Sequence, residues 1–408
     1  MIDADVERKV LDGGQDPRRF QMLAVVCLAE LLGMSLWFVA TAVTPELRAR
    51  WGLDAGQTTW LTAIVQLGFV AGTALIAVLN LADLWPTRFL FAGCAVLGAA
   101  ANFGLLVAPG YGVALALRFF TGFFLAGVYP PAMKMIATWF RHSRGLAIAS
   151  VVGALTIGKA LPYLIHAAGG ASVERVVVTS SAAALLAAGL VGVFFVDGPF
   201  AFSRLPFSWG LVSTVLRDRP TRLAIGSYLG HMWELYAMWV WLPAFIAASL
   251  MAHDPGHPRS LADVLAFGSL ASGALGCLWG GWMSSRWGYA KVVMVAMGIS
   301  GLCSLGIGLL FGASPWVIVP VAWIWGFFVV ADSAQFSAMV TETAPHHAVG
   351  TALTLQTSVG FLLTMVTIQL VPVIEGALGW RWAFPILAVG PAVGIAAARP
   401  LRDLLRRT

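Results

Sequence analysis

The stretch "ELLGMSLW", Glu30 to Trp37, is answered half a chain later by "ELYAMWVW", Glu234 to Trp241. Both read E-L-x-x-M-x-x-W, and they stand 204 residues apart in a chain of 408. Two further correspondences keep nearly the same spacing. The loop "LNLADLWPTR" after the second apolar run is matched by "GWMSSRWGYAK" after the eighth, and "RGLA" (Arg144 to Ala147) by "VGTA" (Val349 to Ala352). Three matches in one order describe a duplicated unit. Parallel repeats of this kind place a binding site between their halves, near the bilayer midplane.

Composition sets the class. The chain is 59% hydrophobic and 11% charged, where a soluble domain carries about 25% charged residues. Runs long enough to span a bilayer, roughly 20 apolar residues each, fall at 21–43, 57–81, 88–108, 112–139, 145–168, 174–196, 222–250, 261–284, 290–311, 315–340, 350–373 and 380–398. They are long and continuous, unlike the short alternating segments of a β-barrel. The predicted fold is an all-α membrane protein, twelve transmembrane helices in two pseudo-symmetric six-helix bundles. The bundles cover 21–196 and 222–398, joined by a linker at 197–221 and flanked by tails at 1–20 and 399–408. The polar start reads as a tail ahead of a retained helix, with no cleavable signal peptide. Seventeen Lys and Arg fall on the side of the N-terminus against five on the other, which predicts both termini in the cytoplasm. These basic residues are scattered over short loops, so no nucleic-acid partner is expected.

Several function classes drop out. No G-x-x-x-x-G-K-[ST] phosphate loop is present, so an ion gradient must supply the energy, and no H-E-x-x-H points to an enzyme. Cys27, Cys94, Cys277 and Cys303 lie in apolar runs without metal or disulfide spacing. No cofactor is expected, and the loop "HDPGH" (His253 to His257) reads as solvated.

The embedded polar residues carry the functional reading. At about 1.5 Å per residue, Glu30 lies roughly 14 Å and Glu234 roughly 18 Å from the inner ends of their helices, inside a core about 30 Å thick. A charge there costs at least about 2.5 kcal/mol and is normally partnered or faces water. Glu30, Gly33, Met34 and Trp37 form one helical stripe; His231, Glu234, Met238 and Trp241 form another. Two readings of the glutamates stand side by side: cavity groups that bind substrate or protons, or protonated structural glue. Lys159 is either a fixed site for an anion or the counter-ion of Glu30. Asp332, with Ser333 and Gln335 beside it, is a third buried acid, and His231 one turn before Glu234 suits a proton relay. Trp37 and Trp241 are the aromatic candidates for stacking on a substrate.

The loop after the second run keeps Leu81-Ala82-Asp83 and Arg88, with Leu79 and Pro86 in place of glycines. Its second copy keeps Gly281, Arg286 and Gly288, with Ser285 where an acid would stand. The fourth run carries R-x-x-T-G (Arg118, Thr121, Gly122). These motifs resemble those of the major facilitator superfamily, over essentially the whole chain. The resemblance implies helices 1, 4, 7 and 10 around a central cavity. With that cavity, the embedded residues give as substrate-binding candidates Glu30, Trp37, Lys159, His231, Glu234, Trp241, Asp332 and Gln335, and as proton-coupling candidates Glu30, Glu234 and Arg118. Gating would fall to Asp83, Arg88, Ser285, Arg286 and Gly288. The G-x-x-x-G-P antiporter signature is absent, its region reading "GALTIGKALP". The phrase "TWFRHSRGLAIA" looks like the organic-anion and nitrate-type branches, without the nitrate glycines. The expected function is alternating-access, proton-coupled transport, by symport, of a small organic acid or similar polar metabolite. The alternative is efflux of a larger amphipathic compound. The expected partners are that small-molecule substrate, a proton or other coupling ion, and the lipid bilayer. The protein is expected to act as a monomer in a plasma membrane of the bacterial inner type.

Overall fold

The computed structural model describes residues 16–79, 81–140, 143–168, 172–200 and 208–404, without the side chains of Ala82, Asp83, Asp403 and Leu404. Every regular element among them is helical. The first, α1 (Arg18–Met34), is followed by eleven segments long and apolar enough to cross a membrane: α2 (Ala55–Val78), α3 (Thr87–Val107), α4 (Tyr111–Ala137), α5 (Arg144–Ala168), α6 (Val173–Phe194), α7 (Arg219–His253), α8 (Arg259–Trp287), α9 (Tyr289–Leu310), α10 (Pro315–Thr343), α11 (His346–Leu378) and α12 (Trp380–Ala398). The chain is a multi-pass membrane protein. Its ends are set by local chemistry. Asp54 and Gln57 form a reciprocal capping box at the start of α2, and Gly288, at φ +77, makes the reversal from α8 to α9. The stretch read as linker carries a short helix, Trp209–Arg217, and α7 already begins at Arg219.

The run read as one span at 21–43 is interrupted. Helix α1 stops at Met34, and four residues, Ser35–Phe38, turn before Val39–Ala42 resumes as helix. Ser35 starts the break, its Oγ donating to the Leu32 carbonyl at 2.6 Å, a side-chain bond that competes with the helix ladder. Two other segments break at depth. Helix α4 is divided between Leu125 and Tyr129, where Pro130 and Pro131 open the second piece, and α10 is divided at Asp332. Non-helical backbone inside a bilayer persists only where protein buries it or it lines a cavity.

Packing repeats with a shift of six segments. Helix α1 packs on α5 and α6, α2 on α4, and α3 on α4 and α6; likewise α7 packs on α11 and α12, α8 on α10, and α9 on α10 and α12. Between the halves, α5 packs along α8 and α2 along α11. The closest crossings rest on glycine. A Cβ on Gly122 of α4 would lie 2.1 Å from the Val65 carbonyl oxygen of α2, and one on Gly326 of α10 would lie 1.7 Å from that of Ser269 of α8. Gly72 of α2 and Gly276 of α8 meet their partners in the same way, at 2.2 and 2.0 Å. Gly122 and Gly326, like Gly72 and Gly276, are 204 residues apart, the offset of the two glutamates.

Candidate substrate site

A cavity of about 80 Å³ lies between the halves, lined from the first by Tyr129, Thr156 and Lys159 and from the second by Tyr228, His231, Tyr236, Trp239, Ser333, Gln356 and Phe361 among others. The helix breaks converge on it. Tyr129 follows the break in α4 and Ser333 the break in α10, while Trp37, in the break of α1, contacts the cavity's lysine.

That lysine is the site's principal feature. Lys159 is buried, with its Nζ 3.9 Å from the ring centre of Trp37, 4.7 Å from that of Tyr236 and 5.0 Å from that of Trp239. Nζ donates to Tyr236 Oη at 2.5 Å. Aromatic faces attract a cation through their quadrupole, so the ring cage is suited to the ammonium form of Lys159. Glu30 is within electrostatic reach of Lys159, but no carboxylate among the described residues forms an ion pair with it. Both carboxylate oxygens of Glu30 are buried with no hydrogen-bond partner among the described residues.

Opposite Lys159, His231 of α7 places Nδ1 2.9 Å from Asp332 Oδ1, while its Nε2 lies 3.2 Å from Ser333 Oγ. His231 and Asp332 are 3% and 1% exposed, and Ser333 carries the pair to the cavity wall.

The glutamates do not face one another across this space. Glu234 is buried inside the second half, where Oε2 accepts from Ser300 Oγ of α9 at 2.8 Å and Oε1 accepts from Trp325 Nε1 of α10 at 2.7 Å. Neither Glu30 nor Glu234 lines the cavity. The reason is angular. Helix α7 turns Tyr228, Met232, Leu235 and Trp239 to the cavity, and at ~100° per residue Glu234 points roughly 130° from the centre of that face. Trp241 shares the Glu234 side, and its Nε1 donates to the Ile368 carbonyl at 2.9 Å. Gln335 turns to α8, its Nε2 3.3 Å from where a Gly280 Cβ would stand. Tyr228, Tyr236, Trp239, Gln356 and Phe361, none of them among the candidates drawn from the sequence, hold the lining positions instead. The signal for the first three was the alternative stripe on α7, which is as regular as the one through Glu234.

Arg118 braces the site from behind. It is buried in α4, its Nη1 donating to the Leu36 carbonyl at 3.0 Å and to Asn102 Oδ1 at 3.3 Å, and its Nη2 to the Trp37 carbonyl. Asn102 in turn donates to Ser181 Oγ at 3.0 Å. The guanidinium therefore satisfies the carbonyls freed by the α1 break and fixes Trp37 beside Lys159.

Of the residues expected to gate, Asp83 lies outside the described side chains. Arg88 donates to the Phe195 carbonyl at 3.4 Å and stacks over Phe89. Ser285 donates to the Trp282 carbonyl at 2.8 Å, and the Arg286 guanidinium lies 3.8 Å from the Trp282 ring centre.

A duplicated helical fold around a small cavity between its halves defines a transporter class. The Major Facilitator Superfamily profile matches residues 25–368, and the chain belongs to that family. No curated protein matches it. Among solved structures, the nucleoside transporter NupG is similar at a TM-score of 0.68 and 15% identity, over 93% of this chain and 99% of that one. A bacterial homologue of the human lysosomal transporter Spinster, inward-facing and unoccupied, is similar at 0.67 and 17% identity, over 96% and 98%. At these identities the likeness is one of fold.

Proposed function

We propose that this protein is a secondary active transporter that moves a small organic anion by alternating access, coupled to protons. The observation that carries the reading is Lys159, a buried lysine whose amine is held among aromatic faces at the wall of the cavity. An anionic group entering there gains a charge partner that the empty site lacks. His231 and Asp332 form the proton-carrying unit: His231 takes a proton at Nε2 or releases it toward Ser333 and the cavity, while Asp332 holds Nδ1. Glu30, buried and within reach of Lys159, is a second acid able to follow the lysine's occupancy. Glu234, doubly hydrogen-bonded between α7, α9 and α10, supports the bundle. The competing reading, efflux of a larger amphipathic compound, draws on the aromatic lining. The cavity of about 80 Å³ favours the smaller cargo.

The test is binding and uptake by the purified protein in liposomes, comparing small mono- and dicarboxylates with nucleosides and lipophilic cations. Lys159→Ala should remove about 2–5 kcal/mol of anion binding, the usual cost of deleting one partner of a buried charge pair. Anion binding equal to wild type in Lys159→Ala would defeat the anion reading and bring amphipathic efflux forward.

A further inference from the structure

Helix α5 ends at Ala168 and α8 begins at Arg259, at the end of the molecule opposite the linker between α6 and α7. Here the two halves meet through charged side chains. His166 of α5 is 5% exposed, with Nδ1 2.8 Å from Asp263 Oδ2 of α8 and Nε2 3.6 Å from Glu46 Oε2. Arg259 of α8 reaches Glu46 Oε1 at 4.0 Å. Glu46 belongs to a short helix, Thr44–Trp51, which Leu47 anchors in an apolar cluster with Val173 and Val177 of α6. The first half therefore supplies Glu46 and His166, and the second Asp263 and Arg259.

A neutral imidazole has one N–H and one lone pair, while an ionised carboxylate only accepts. With acids at both ring nitrogens, a neutral His166 satisfies one and turns its lone pair on the other. The imidazolium serves both. With Arg259 it also balances the two carboxylates, so loss of the proton leaves one uncompensated negative charge on the seam. The remaining groups nearby do not supply a substitute. Tyr163, one turn earlier on α5, adds a buried hydroxyl, and Arg48 and Arg50 on the helix of Glu46 donate to the Leu53 and Leu106 carbonyls.

We infer that His166, Glu46 and Asp263 form a proton-binding site, separate from the central cavity, whose occupancy latches the two halves together at this end. Opening on this side requires α5 and the Glu46 helix to part from α8, which breaks the bridge. Proton release from His166 removes the donor that spans it. On the orientation given by the Lys and Arg bias, this end faces outward, so external acidity holds the carrier shut there and external alkalinity frees it. The inference needs no substrate and stands apart from the organic-anion reading.

The experiment measures opening without transport. Spin labels are placed at the exposed Ala55 and Ala252, at this end of α2 and α7, in the full-length protein with its four cysteines replaced. Pulsed distance measurements in lipid nanodiscs, without substrate, then cover about pH 5 to pH 9, which spans the ordinary range of histidine. The long-distance population of the otherwise unaltered protein should grow about tenfold across this range, the effect of one unit's difference in proton affinity between the two states. In His166→Gln it should stay flat and high; in His166→Arg, with a fixed cation, flat and low. Asp263→Asn should open at a lower pH than the parent. A flat parent profile, a His166→Gln profile that tracks the parent, or an unshifted Asp263→Asn profile would each overturn the latch.

Discussion

In the proposed mechanism Lys159 and His231 divide the work of the site, the lysine meeting the anion and the histidine carrying the proton. Cation–π contacts contribute roughly 0.5–2 kcal/mol each, less than an ion pair in the same place, so the lysine remains available to an incoming anion. Tyr236→Phe keeps the ring and deletes the oxygen that accepts from Nζ. It should lower stability by about 1–3 kcal/mol, the cost of a buried charged donor losing its acceptor, read by thermal unfolding in detergent. His231→Gln should abolish proton-driven accumulation while preserving exchange of substrate across the membrane. Intact accumulation in that variant would move coupling to Glu30. At this scale the sequence was legible by residue type and blind to direction. A lysine, a histidine and three acids in apolar runs announce themselves because each is costly there. Which way they point is not written in a helix that is apolar on every side, and that is why Glu234 and Trp241 turned out to face neighbouring helices and not the cavity.

Helices show the same partial legibility. Length and hydropathy located the runs to within a few residues, because burial in lipid needs only a long apolar segment. The breaks in α1, α4 and α10 were hidden by that uniform apolarity, although Ser35 and the Pro130–Pro131 pair mark two of them. Arg118→Lys keeps the charge but loses the fork that serves the Leu36 and Trp37 carbonyls together. It should lower substrate affinity by releasing Trp37 and leave the pH dependence of transport unchanged, which steady-state uptake over a pH series checks. The glycine crossings give a packing test. Gly326→Ala places a methyl group 1.7 Å from the Ser269 carbonyl oxygen and should cost about 1–3 kcal/mol or more as overpacking. Gly298→Ala, with nothing within 4 Å, should be neutral or stabilise by up to about 1 kcal/mol through helix propensity.

The whole molecule adds a second limb to the pH response of the seam. Partial burial works against the charge on Glu46, yet the His166 imidazole and, more weakly, Arg259 hold its carboxyl below the ordinary carboxylate value. A carboxyl depressed in the latched state stabilises that state above its unlatched value, and the contribution is lost as pH falls through the lowered one. Latching should therefore be strongest between the two limbs, weakening at alkaline pH as His166 loses its proton and again in acid, below the ordinary carboxylate range, as Glu46 gains one. Distance distributions extended to acid pH check this: Glu46→Gln should remove the acid limb and, by taking one carboxylate from His166, move the alkaline limb to lower pH. None of these seam residues was singled out by the sequence, since Glu46, Asp263 and Arg259 sit in loop-proximal positions where charge is cheap, and only the fold brings them to His166.

The repeated packing has a consequence for biosynthesis. Each set of six segments closes on its own neighbours through the same pairings, and the two sets meet chiefly along α5–α8 and α2–α11, where the tilted rings of Phe69 and Phe361 lie 4.5 Å apart between centres. The peptide bond that joins them is then a convenience of synthesis, not a condition of folding. Two separate genes, one encoding the chain through Phe200 and one beginning at Ser208 behind its own start codon, should yield polypeptides that find each other in the bilayer and co-purify on a tag carried by either.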